Sequence, residues 1–355
     1  MRFGAFVPQG WRWTLAGIPV EETWPIVLDV AKDIERLGFD SLWVYDHFQN
    51  FPPSEWADHV WKTAIDPEAH GTLADPPDEP ERIQEVTYEA WTLMAALAAT
   101  TDTVRLGQMC TCNTYRPPAY LAKVAACIDV ISGGRLEMGI GAGWYVAEHD
   151  GYGYDFLPPG GRLGMLREGV EIMKALWTED VVSYDGSHYT LKGALCEPKP
   201  LQKPHIPFWI AGGGEKVTLN IAARYAQYTN FGTDGVESFL HKSDILKGHC
   251  GDVGTDFDSI VRSTNFNVLC APTEKEVAEK LAWLEGHLGR YLPERRAKSF
   301  AGGFNATSGT PEQIVAWLKG YQEAGMGYAI IQFADIAYDR ESLELFAREV
   351  IPAFE

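Results

Sequence analysis

Residues 103–148 read TVRLGQMCTCNTYRPPAYLAKVAACIDVISGGRLEMGIGAGWYVAE, and the fold turns on how this stretch divides. Val104 to Met109 reads as a strand, Pro117 and Pro118 open a helix, and Arg135 to Ile140 is a second strand that runs into Gly139, Gly141 and Gly143. Proline near a helix start and glycine past the end of a periodic segment are the expected punctuation, so the unit is strand, helix, strand with both strands parallel. A helix-joined parallel pair delivers the ends of both strands to one edge of a sheet. Met109, Cys110, Asn113 and Gly141 to Tyr145 gather at that edge, the first place to expect a ligand.

The same alternation extends in both directions. Upstream, Arg2 to Pro8 is a short strand, Glu22 to Leu37 has helical spacing ending at Gly38, and Asp40 to Tyr45 is a second strand finishing in Asp46-His47-Phe48-Gln49. Residues 49–82 are rich in proline and acids, with Phe51, Trp56 and Trp61 among them. That is too long for a plain α/β connection, so the segment reads as a lid or a flexible insertion. A helix over 87–99 then leads into the central unit.

Downstream, 162–177 is amphipathic and 181–191 reads as a hairpin around Asp185-Gly186. A strand over 207–211 ends in Gly212-Gly213-Gly214, with a helix expected over 215–225 and a weakly marked strand over 227–230. Helix 236–249 and strand 263–270 follow. Thr273 with Glu276, and Thr310 with Gln313, have capping-box spacing; strand 328–333 and helix 340–349 close the chain. Residues 286–308 fit neither element and read as a second insertion.

Eight strands alternating with helices, without a linker-like boundary, predict a (β/α)8 TIM barrel with insertions, one domain over 1–355. A doubly wound open sheet competes, but has no need of eight evenly distributed repeats.

Composition narrows the function. The chain has 355 residues, 46% hydrophobic and 22% charged, which suits a globular protein with a sizeable core. A net charge of −19 argues against nucleic acid and acidic membrane surfaces as partners. The start MRFGAFVPQGW lacks the basic region and apolar run of a secretory signal, and no stretch of about 18 apolar residues occurs, so the cytoplasm is the expected compartment. Six cysteines are scattered, with one close pair at Cys110 and Cys112, and no HxxxH pair is present; neither a zinc site nor another protein-bound metal is expected.

In a barrel the strand ends share one mouth. Asp46-His47, Met109 to Asn113, Gly141 to Trp144 and Gly212 to Gly214 would meet there, polar side chains and bare backbone above apolar strands. His47 either caps a strand or serves a site; its place beside Asp46 favours the site. Gly139, Gly141 and Gly143 read equally as steric relief in a tight turn. Gly212 to Gly214 before a helix, with Lys216 just inside the turn, suits a phosphate. GIGAG is not a dinucleotide fingerprint: the spacing is wrong, and no acid stands about twenty residues on, where Pro159 to Arg162 lie. No GxSxG elbow is present either.

LGFDSLWVYDHF (37–48), VRLGQMCTCNTYRPPAYLAK (104–123), DVISGGRLEMGIGAGWYVAE (129–148) and EPKPLQKPHIPFWIAGGGEK (197–216) together resemble the luciferase-like monooxygenase superfamily, and within it the oxidoreductases that use the deazaflavin coenzyme F420. The resemblance implies that Asp46 and His47 stand beside the flavin-type ring, with His47 near the reacting carbon. It implies a bulge with a non-proline cis peptide at Met109–Cys110 on the ring's back face. Ala142, Gly143, Trp144 and Tyr145 would wall the cofactor's side chain, and Gly212, Gly213 and Gly214 would cradle its phosphate. Trp144 departs from the pattern of the sugar-phosphate dehydrogenases in this group, which carry an acid there. An indole cannot transfer a proton in that role, so an apolar or aromatic substrate is expected instead.

The leading functional reading is hydride transfer between coenzyme F420 and such a substrate, with His47 as catalytic proton donor. A flavin mononucleotide (FMN)-dependent monooxygenase served by a separate cofactor reductase needs the same barrel and phosphate site. A cofactor-free binding protein of the same fold is the non-enzymatic reading. The resemblance also implies a homodimer.

Overall fold

The structure, a computed structural model, describes residues 1–50, 86–232 and 234–354; the expected lid falls, from residue 51 on, outside the described residues. In chain order the strands are β1 (Arg2–Phe6), β2 (Ser41–Val44), β3 (Arg105–Gln108), β4 (Thr111–Cys112), β5 (Leu136–Gly141), β6 (Val182–Asp185), β7 (Thr190–Ala194), β8 (Phe208–Ala211), β9 (Tyr228–Asn230), β10 (Val261–Val268) and β11 (Tyr328–Phe333). β6 and β7 pair antiparallel as the expected hairpin outside the main sheet. All other pairings are parallel, and β1 lies between β2 and β11, which closes the sheet into a barrel and excludes the open sheet. β3 and β4 form one barrel position, both pairing with β5, interrupted at a cis peptide between Met109 and Cys110.

Helices α1 (Val20–Arg36), α2 (Ala90–Thr100), α3 (Pro118–Ile131), α4 (Val146–Tyr152), α5 (Pro159–Thr178), α6 (Thr218–Tyr225), α7 (Val236–Val253), α8 (Glu274–Leu288), α9 (Glu294–Gly302), α10 (Pro311–Glu323) and α11 (Glu341–Leu345) connect the strands. α9 occupies the stretch left without an element by sequence, packing through Ala297 and Ala301 against Trp13, Leu284 and Leu288. The capping box of α10 is complete; Thr273 likewise accepts from the Glu276 N–H at the start of α8. No helix among the described residues is long and apolar enough to cross a membrane.

Strand residues alternate between two cores. One set, including Phe3, Leu42, Leu106, Met138, Ile210 and Ile331, packs outward on the helices. The other fills the barrel with Phe6, Trp43, Met109, Trp209, Tyr328 and Ile330. Trp43 sets the floor. A Cβ on Gly107 would lie 2.4 Å from its ring, and one on Gly4 would lie 2.4 Å from its indole nitrogen, so the neighbouring strands need glycine to admit the indole. Glu137, buried beneath, accepts from Trp209 Nε1 at 2.7 Å and pairs with Arg105. Burial pushes its carboxyl pKa upward against the pull of Arg105.

Candidate active site

The mouth is built where strands stop. β2 ends at Val44, and Tyr45, Asp46 and His47 follow with their side chains tied to different walls. Asp46 is buried and forked by Arg116, with Nη1–Oδ2 at 2.7 Å and Nη2–Oδ1 at 2.9 Å; it also accepts the Cys112 N–H at 2.9 Å. Arg116 additionally pairs with Glu89. Burial opposes the guanidinium's charge, but the two carboxylates outweigh it and raise its pKa. Asp46 therefore locks the 109–112 turn in place, and its own lone pairs are largely engaged.

His47 is sandwiched. Its ring stacks on Trp11 at 3.7 Å and 12°, and meets Trp144 edge-on at 5.6 Å. Nδ1 faces Glu148 Oε2 at 2.8 Å. Glu148 is fully buried and also accepts from the N–H groups of Phe48 (2.5 Å) and Gln49 (3.1 Å) and from Tyr115 Oη (2.7 Å). Four donors around one carboxylate satisfy the burial cost of a charge and fix which imidazole nitrogen is held, leaving Nε2 for chemistry.

The other wall follows β5. Gly139 and Gly141 are in the strand itself: a Cβ on Gly139 would meet the Gln108 carbonyl at 1.8 Å, and one on Gly141 would meet Cys110 Sγ at 2.7 Å. These two glycines give steric relief to the bulged β3–β4 segment. Gly143 has φ +79° and its carbonyl accepts from Arg162. Ala142 is half-buried, and Trp144 stacks on the fully buried Tyr145 at 5.1 Å. Cys110 is partly exposed and Cys112 buried, and burial, reinforced by neighbouring negative charge, pushes both thiols up to about 12. Neither is a thiolate nucleophile near neutral pH.

Asn113 does not join them. Its amide is buried against Tyr189 Oη at 3.4 Å, and a Cβ on Gly169 of α5 would lie 2.3 Å from its Oδ1, which places it in the helix layer. Gly212, with φ +119°, Gly213 and Gly214 follow β8, but the helix begins at Thr218 after a turn over 215–217, later than the expected 215. Lys216 is exposed. The ammonium alongside Gly213 belongs to Lys242 of α7, which holds Glu215 Oε1 at 2.6 Å.

Trp11, Arg116, Glu148, Arg162 and Lys242 also belong to this region, though no local sequence pattern marks them as site residues. Glu148 and Arg116 fall inside the quoted motifs, but the burial of Glu148 and the partners of both, His47 at 101 residues' separation and Asp46 at 70, exist only in the folded barrel; the others come from loops and helices outside those motifs. Arg162 is 4% exposed, lies over the Phe156 ring at 4.1 Å, and keeps Nε without a hydrogen-bond partner beside Gly143. That orphaned donor, the Gly212–Gly214 turn and Lys242 fit an anionic, phosphate-bearing group along this wall. No cluster of metal-ligating side chains is found among the described residues.

Comparison with known proteins agrees with this architecture. An uncharacterized protein of Mycobacterium tuberculosis is 35% identical over 196 residues, 55% of this chain, and the match spans 64% of that relative's length. An F420-dependent glucose-6-phosphate dehydrogenase of Nocardia farcinica is 27% identical, covering 92% of this chain and 93% of its own. An FMNH2-dependent dimethylsulfone monooxygenase of Pseudomonas putida is 26% identical over 75% of this chain and 78% of its own. The structure of an F420-dependent secondary alcohol dehydrogenase superposes with a TM-score of 0.73 at 20% identity, covering 100% of this chain and 99% of that one, which attests the shared fold. The profile of the family described as luciferase-like monooxygenase matches residues 1–327, and with the closed barrel around the Asp46–His47 mouth this chain belongs to that family.

Proposed function

We propose that the protein is a coenzyme F420-dependent oxidoreductase that transfers a hydride between the deazaflavin and a largely apolar or aromatic organic substrate. The observation that carries this reading is His47 held by Glu148 between the Trp11 and Trp144 rings. Such a setting offers one oriented proton donor and broad aromatic faces for flat rings. The Nocardia relative, aligned over nearly the whole chain, supports the cofactor class.

When bound, the deazaflavin supplies two-electron hydride chemistry, its ring carbon replacing the nitrogen through which reduced flavins react with oxygen. Asp46 and Arg116 brace the backbone at Cys112 so that the ring-facing wall does not shift. Arg162 and Lys242 would hold the phosphate, and Gly212 to Gly214 would let the backbone approach it. His47 delivers or receives the proton through Nε2, while Glu148 keeps Nδ1 in its tautomer. Trp144, standing where the sugar-phosphate dehydrogenases are expected to carry an acid, supports an apolar substrate and argues against a sugar phosphate.

The second reading is an FMN-dependent monooxygenase working with a separate reductase, supported by the Pseudomonas relative and by a site that would serve either cofactor. Titrating the purified protein with each cofactor, followed by absorbance and fluorescence quenching, separates the two. Tight binding of F420 with weak binding of FMN is expected, and the reverse result overturns the leading reading. We further propose a cytoplasmic homodimer, to be tested by light scattering and cell fractionation.

A further inference from the structure

The barrel interior is divided at the mouth. Phe6, Tyr45 and Met109 make one side aromatic and apolar, whereas β9, β10 and β11 point amides inward at Asn230, Asn265, Asn267 and Gln332, and Arg12 reaches over them from the loop after β1. Asn265 is exposed although Ile330, its register partner, is buried, so solvent reaches this depth of the barrel.

The orientation of each amide follows from its neighbours. Ser263 Oγ donates to the Thr229 carbonyl at 2.9 Å, so its lone pair accepts from Asn230 Nδ2 at 3.0 Å. The same Nδ2 then donates to Asn265 Oδ1 at 3.0 Å, so the engaged end of this exposed side chain is its oxygen and Nδ2 is left over as a donor. Arg12 is donor-only, so its contact with Asn267 at 3.1 Å engages Oδ1. Tyr45 Oη donates to Gln332 Oε1 at 2.9 Å, because an amide oxygen can only accept, and Gln332 Nε2 is left buried with no hydrogen-bond partner.

The amide oxygens of Asn265, Asn267 and Gln332 each accept a hydrogen bond, and the donors left over on this wall are Asn265 Nδ2, Gln332 Nε2 and the remaining Arg12 N–H groups. Arg12 forms no ion pair among the described residues, in a chain with net charge −19. Spare donors around a guanidinium that lies over the Phe300 ring at 5.0 Å but faces no carboxylate among the described residues are complementary to an anionic acceptor. It also adjoins the chemistry, because Arg12 directly follows Trp11, the residue stacked on His47. We propose that Arg12, Asn265 and Gln332 form a substrate subsite for a carboxylate, so that the substrate class is an aromatic or apolar carboxylic acid oriented acid-end toward β10 and β11. This deepens the function proposed above and rests on it only in taking the barrel mouth as the place of reaction.

The test is calorimetric titration of the full chain, cofactor-free and cofactor-loaded, with naphthalene-2-carboxylate and its uncharged near-isostere naphthalene-2-carboxamide. The carboxylate should bind roughly tenfold tighter than the amide, the scale of a charge-assisted contact. Arg12→Met should bring the two to within about twofold, and Asn265→Asp, which turns a donor into an anionic acceptor, should weaken the carboxylate far more than the amide. Melting curves identify a variant that fails to fold, and the other variant then decides. Equal binding of both probes by the native chain overturns the subsite, as does a preference that survives in the folded variants. An Arg12-dependent preference in a protein that takes up neither FMN nor F420 upholds the subsite and removes the cofactor reading. Tight cofactor uptake without the preference does the opposite.

Discussion

His47 Nδ1 and Glu148 Oε2 lie 2.8 Å apart, and the carboxylate that closes this contact is entirely shielded from solvent. Their separation in sequence is 101 residues, so the pair exists only because β2 and the turn after β5 end at the same mouth. His47→Ala should lower turnover about 100-fold or more, the scale of a lost general acid, with cofactor affinity held within a few-fold. Glu148→Gln should cost about tenfold, because the amide nitrogen must face one of the donors the carboxylate now accepts from. Steady-state kinetics beside cofactor titration checks both; unchanged turnover in His47→Ala removes it from the mechanism.

Asp46 and Arg116 form a buried fork rather than a reacting pair. Asp46→Asn should reduce stability by about 3 kcal/mol, since the guanidinium loses its carboxylate and the Cys112 N–H faces a poorer acceptor. Urea unfolding measures it, and a loss below about 1 kcal/mol contradicts the bracing role.

Cofactor affinity should be sensitive at the turn after β8. Gly213→Val would project methyl groups beside Lys242, and Lys242→Gln would remove the cation, so each should weaken cofactor binding much more than it lowers Tm. Equal affinity in both variants rejects this turn as the phosphate site.

Barrel packing gives a sharper steric test. Gly107→Ala places a methyl 2.4 Å from the Trp43 ring and should cost about 1–3 kcal/mol through overpacking. Gly151→Ala in α4 meets nothing within 4 Å and should be neutral or stabilising by up to about 1 kcal/mol. Chemical denaturation of both variants reads the contrast.

One pH effect can be assigned. Glu35 accepts from the N–H groups of Asp102 (2.9 Å), Thr103 (2.5 Å) and Val104 (3.0 Å). Partial burial opposes its charge, but these donors outweigh burial and hold the carboxyl below its ordinary 4.5. Its folded pKa is depressed, so its stabilising contribution is full above about 4.5 and is lost as pH falls through the lower folded value. Glu35→Gln should therefore lower Tm at pH 7 and have a smaller effect near pH 3, as thermal melts across pH would record.

Sequence alone determined the barrel, because parallel strands need helical crossovers and the period of the apolar pattern switches visibly between strand and helix at each joint. It also placed Asp46, His47, Gly143, Trp144 and the Gly212–Gly214 turn at strand ends. Local pattern could not separate Asn113, which faces the helix layer, from Cys112, whose N–H meets Asp46, because a bulged strand breaks the alternation that assigns faces. Nor could it find Trp11 or Lys242, or tell the clash-driven glycines Gly139 and Gly141 from a ligand loop. Those depend on contacts between residues far apart in the chain. Only the closed barrel, which brings its eight strand ends to one rim, decided which buried charges found partners and which donors were left facing the mouth.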